Sequence, residues 1–149
     1  MINSLPFTKD DAEKWALDHP TPFYVYDEEG IRSCVNALYK AFAWNKGFKE
    51  YFAVKATPTP GILRLLKSLG CGADCASVPE LMLAERSGMT GSDIIFSSNE
   101  TSDEEYRAAY KLGAIINLDD ITQIEHMKRT VGIPDTVCCR YNPGEFRIT

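Results

Sequence analysis

The chain has 149 residues, 44% of them hydrophobic, enough for one globular unit with its own core and thin for two. Sixteen basic against twenty-one acidic residues leave a net charge of −5, and no basic run exceeds two residues, which argues against nucleic acid as a partner. No stretch approaches the roughly 18 apolar residues needed to span a bilayer, and the opening MINSLPFTKDDAEKW lacks the pattern of a secretion signal, so a soluble, cytoplasmic chain is expected.

Thr8 is placed to cap a first helix over DDAEKWALDH. The run Pro22-Phe23-Tyr24-Val25-Tyr26 is aromatic and β-branched and reads as a strand. Asp27 can then cap a helix over residues 28–43, where Ile31, Cys34, Val35, Leu38, Ala41 and Phe42 recur at helical spacing. From there strands and helices alternate. The predicted pairs are Tyr51 to Val54 with a helix over residues 60–69, and Gly72 to Ala76 with a helix over residues 79–87. Ile94 to Ser97 precedes a helix over residues 102–112, Ala114 to Leu118 one over residues 121–130, and Thr136 to Tyr141 is a fifth strand. The strands recur about every 21 residues and are apolar runs rather than strict alternations, as in parallel strands covered by helices.

Two α/β architectures have this pattern, the barrel and the doubly wound sheet. No GxGxxG or GxxxxGK[ST] follows any strand, which favours the barrel. A complete α/β barrel needs eight such units and about 250 residues. The expected fold is therefore a partial (β/α)8 TIM-type barrel of about five β-α units with parallel strands. Its open edges and uncovered interior would leave a lone chain marginal or self-associating.

Five cysteines without a C-x-x-C spacing and only two histidines argue against a disulfide framework and against a metal site. Cys71, Cys75, Cys138 and Cys139 read as small buried thiols, and His126 as a surface or packing residue.

Chemistry in a barrel collects at the C-terminal ends of the strands, where the polar residues are Lys55, Asp74, Ser97 to Asn99, Asp119 and Arg140. Lys55 ends an apolar run. Partial burial there would favour the neutral amine that forms a Schiff base with an aldehyde, whereas a solvated rim lysine would carry no chemistry. Asp74 could charge-balance that lysine or cap the next helix. Arg140 could present its planar fork to an anionic or phenolic atom, or pair with Asp119 or Asp120.

The run Tyr51-Phe52-Ala53-Val54-Lys55-Ala56 resembles the Y-A-V-K-A-N lysine motif of the alanine-racemase-like, group IV decarboxylases. Thr21-Pro22-Phe23-Tyr24-Val25-Tyr26-Asp27 resembles that family's T-P-x-Y-V-Y-D segment. Gly72-Ala73-Asp74-Cys75-Ala76-Ser77 with Glu80-Leu81 follows in order, and Cys139-Arg140-Tyr141-Asn142-Pro143 looks like the family's L-R-x-N-P. Where many diaminopimelate decarboxylases carry G-N-x-K-S, this chain has Phe96-Ser97-Ser98-Asn99-Glu100-Thr101, which keeps the asparagine and lacks the lysine.

The resemblance implies pyridoxal 5'-phosphate held covalently by Lys55, with Asp74, Glu80 and Arg140 near the cofactor, Lys55 and Asp74 being the catalytic pair. It implies that residues 1–149 are the N-terminal portion of the barrel, residues 20–27 being a strand that in the family joins a C-terminal β domain. The histidine stacked on the ring, the phosphate loop and the partner of the pyridine nitrogen would lie further along. The full-length protein would be a homodimer that decarboxylates meso-diaminopimelate to L-lysine in lysine biosynthesis, this chain alone being inactive. Alternatives are an ornithine-, arginine- or carboxynorspermidine-type decarboxylase and a non-catalytic, barrel-derived binding protein; intact Lys55, Asp74 and Glu80 argue against the last.

Overall fold

Residues 5–141 are described by the computed structural model, in two compact units, Met1–Ala41 and Phe42–Thr149. In the first, α1 (Lys9–Asp18) starts at a capping box: Thr8 Oγ1 accepts from the Asp11 amide at 3.2 Å, and Asp11 Oδ2 accepts from the Thr8 amide at 2.9 Å. Helix α2 (Glu28–Ala41) starts at Asp27, whose Oδ1 accepts from the Gly30 amide at 3.0 Å. Both caps fall where the sequence places them. Between the helices, Phe23 to Tyr26 is exposed and has no strand assignment, since no described strand pairs with it.

The second unit alternates strand and helix: β1 (Tyr51–Ala53), α3 (Pro60–Ser68), β2 (Gly72–Cys75), α4 (Val78–Arg86), β3 (Ile94–Ser97), α5 (Asp103–Lys111), β4 (Ile115–Leu118), α6 (Gln123–Thr130) and β5 (Val137–Cys139). All four strand pairings are parallel, and the sheet order is the chain order. A doubly wound sheet would reverse its strand order, and the described strands keep theirs from β1 to β5. Ala73, Cys75, Ile94, Phe96, Ile116 and Leu118 are buried in one core with Leu63, Leu81, Tyr106 and Met127 of the helices. The alternate residues, among them Asp74, Ser97 and Asn117, lie on the opposite, concave face and are only partly covered. Two-residue periodicity thus separates a packed side from a site-bearing side.

Some boundaries move. Strand β1 stops at Ala53, and Val54–Ala56 forms a 3-10 turn. Helix α6 starts at Gln123, because Asp120 Oδ1 accepts from the Thr122 amide and holds the preceding residues in a turn. Helices α3, α4 and α5 end in one device, shown by α5: Gly113, at φ 70°, donates to Tyr110 O while Ala114 donates to Ala109 O. His126 bonds Asp103 at 2.6 Å and sets its ring edge-on to Tyr106, so it packs α6 against α5. Cys71 and Cys75 are buried as expected, but Cys139 is exposed on β5, a strand with one neighbour among the described residues.

Candidate active site at the strand ends

Lys55, Asp74, Glu80 and Arg140 line one cavity of about 370 Å3, together with Ser97 and Asn99. The parallel register accounts for this: Ala53 faces Asp74 across β1 and β2, and Ser97 and Asn117 pair across β3 and β4, so all four strand ends open at the same rim. Lys55 stands on the 3-10 turn just past β1, closed by a Thr57 amide bond to Val54 O at 3.1 Å. Buried Val54 anchors that turn, while Lys55 itself is exposed. The partly buried amine expected from the apolar run is therefore not seen, because the chain turns before the lysine instead of continuing into the sheet.

Asp74 is half-buried on β2, and its Oδ1 is enclosed without a hydrogen-bond partner. Burial raises its carboxyl above the usual range; the Ser97 hydroxyl and the Lys55 charge pull it back, Glu80 adds to the rise, and Arg140 lowers it. It caps no helix. Glu80, in the first turn of α4, reaches back to the loop before the helix: its Oε2 accepts from the Ala76 amide at 2.8 Å and its Oε1 accepts from Ser77 Oγ at 3.3 Å. Glu80 thereby holds the loop that follows Asp74.

Arg140 forms the ion pair anticipated as its alternative role, with Nη1 2.6 Å from Asp119 Oδ1, and also donates to Asn99 Oδ1 at 3.2 Å. Its backbone amide donates to Leu118 O at 2.8 Å, continuing the β4–β5 ladder by one bond. Pairing does not remove it from the cavity wall.

Sequence reading passed over two residues. Asn117 donates to Ser97 Oγ at 3.1 Å on the concave face beside Asp74. The signal for Asn117 was present, one polar residue at the alternating position of each of three apolar strands. Gln123, buried, accepts from the Asp119 amide at 2.8 Å and donates to Asn99 O at 3.0 Å. Nothing in its helical context marks it. Among the described residues no His, Cys, Asp and Glu side chains are grouped to hold a metal ion, and no helix is long and apolar enough to cross a membrane.

The family model described as pyridoxal-dependent decarboxylase, pyridoxal binding domain, matches residues 29–146. Protein TabA of Pseudomonas amygdali pv. tabaci is 47% identical over 125 residues, which are 84% of this chain and 29% of that protein. Diaminopimelate decarboxylase of Methanothermobacter thermautotrophicus is 31% identical over 134 residues, 89% of this chain and 31% of that protein. Among solved structures, SrLDC in complex with PLP and cadaverine superposes with a TM-score of 0.76 at 26% identity, over 85% of this chain and 33% of that one. The chain thus spans about a third of the length of the curated relatives it matches.

Proposed function

Since this chain belongs to the family of pyridoxal-dependent decarboxylases, within their pyridoxal-binding domain, we propose that Lys55 is its cofactor-holding lysine and that Asp74, Glu80 and Arg140 complete the cofactor side of the site. The observation that carries this reading is the shared cavity of about 370 Å3, within the size range of small-molecule sites. The donor set suits the group: an amine for an aldehyde, a guanidinium fork for an anionic or phenolic atom, and an enclosed Asp74 Oδ1 that still requires a donor.

When bound, pyridoxal phosphate would supply an aldehyde carbon and a conjugated ring that accepts the electron pair left on the substrate when carbon dioxide departs. The chain's own residues do the rest. Lys55 presents its amine at the mouth, where the 3-10 turn fixes its backbone. Asp74 holds a carboxylate charge opposite the amine, and its enclosed oxygen can take a proton donor. Glu80 fixes the loop between β2 and α4, and Arg140 offers its remaining N–H groups to an anionic atom.

For a protein of the full length of these relatives that contains this sequence, we propose decarboxylation of meso-diaminopimelate to L-lysine by a cytoplasmic homodimer. The name carried by the Methanothermobacter relative supports that substrate. The cadaverine in the SrLDC complex supports an amino acid of similar length and a second basic end as the nearest competitor.

Incubating the chain with pyridoxal phosphate, reducing with borohydride and mapping the adduct by peptide mass spectrometry tests the lysine assignment. We expect one stoichiometric adduct on Lys55 that disappears in Lys55→Ala. Labelling scattered over the surface lysines, unchanged by that substitution, would overturn it.

A further inference from the structure

We infer that Gln123 is a positioning residue that sets the Arg140 guanidinium at the cavity by tying together the loops after β3 and β4. The inference rests on the cofactor-site reading above. Gln123 opens α6 and is 8% exposed. Its Oε1 accepts from the Asp119 amide at 2.8 Å, and its Nε2 donates to Asn99 O at 3.0 Å and to Ser98 O at 3.3 Å. The amide therefore bonds only main-chain atoms, on two separate loops, one holding Ser98 and Asn99 and the other Asp119.

Those loops carry the grip on Arg140. Asn99 and Asp119, whose backbones Gln123 holds, are the residues whose side chains bind Arg140 Nη1, at 3.2 and 2.6 Å. An arginine this exposed gains little from an ion pair unless its partners are already in place, because holding two flexible side chains in one geometry costs entropy. Gln123 removes part of that cost by fixing the partners' backbones. It does not itself line the cavity. Glu80 does the same for the loop after β2, so each of these loops is set by the first turn of the helix that follows or lies next to it.

The test is a double-mutant cycle on this chain, with the dissociation constant for pyridoxal 5'-phosphate read by absorbance and Tm read in parallel. Arg140→Met is expected to weaken binding about thirtyfold, since it removes a charge-assisted donor. Gln123→Met is expected to weaken it about tenfold alone and less than about twofold in the Arg140→Met background, the non-additivity of residues acting through one group. A purely structural glutamine would lower Tm and leave the dissociation constant alone, or add its full effect in both backgrounds; either result overturns the inference. Should Gln123→Met not fold, Gln123→Glu, which keeps the acceptor for Asp119 and loses both donors, carries the same cycle. If the unmodified chain binds no pyridoxal phosphate, the cofactor reading fails, and NMR of Arg140 guanidinium rotation decides instead. Slowed rotation that becomes free in the Gln123 variant supports the inference, and rotation that stays slowed overturns it.

Discussion

Asp74 is where the demands of stability and of the site part company. Its enclosed oxygen has no hydrogen-bond partner and burial raises the carboxyl above 3.8, its ordinary value. The folded chain then holds the proton more tightly than the unfolded chain, so stability falls as pH rises from about 3.8 through the folded value, and the penalty persists at neutral pH. Asp74→Asn is expected to raise Tm by a few degrees at pH 7, a modest gain because the half-exposed carboxyl is partly screened, with the gain fading below pH 4. The same variant should slow Lys55 labelling. A Tm that falls at pH 7 would show that the charged form is the stabilising one. Cys75, next to it but facing the core, is pushed to about 12 by burial and by the Glu80 and Asp74 charges, which leaves an inert thiol. Lys55 and Asp74 were legible because each stands at the end of an apolar run inside a short motif, although only Asp74 is partly buried there. Gln123 was not, because a glutamine early in a helix is ordinary until the helix is placed against two loops.

At the scale of elements, the start of β2 is set by steric fit. A Cβ on Gly72 would lie 2.5 Å from the Asp93 carbonyl oxygen and 2.6 Å from the Tyr51 ring, against backbone and aromatic atoms with little room to yield. Gly72→Ala should cost about 1–3 kcal/mol in urea unfolding, as overpacked sites do. Gly61→Ala, in α3 with nothing within 4 Å of its new Cβ, should be neutral or stabilise by up to about 1 kcal/mol. Equal effects at both positions would remove the steric account. Helix starts were legible at Thr8 and Asp27 because capping is local chemistry, and the helix expected from residue 102 has Ser102 as its cap. Strand ends were less so: β3 matches its predicted span, but β5 is only Val137–Cys139 and Val54 leaves the predicted first strand for a turn, since strand length depends on the neighbour each residue meets.

Among the described residues, β1 and β5 are sheet edges with one neighbour each, and the concave face carries Tyr51, Ile95 and Cys138 beside the polar row. Unpaired edges template further pairing. Sedimentation velocity is expected to show association that grows with concentration, and the chain alone should release no carbon dioxide from meso-diaminopimelate, lysine, ornithine or arginine. A concentration-independent monomer or measurable release would each count against this. The sequence by itself determined the alternation of strand and helix, the parallel sheet, the family and the residues worth inspecting, because periodicity, capping and short motifs are local properties of the chain. Only the tertiary structure decided that Lys55, Asp74, Glu80 and Arg140 share one cavity, that Arg140 is gripped from two loops, and that Gln123 holds both loops. Those facts depend on register and on contacts between residues distant in the chain, which no local pattern encodes.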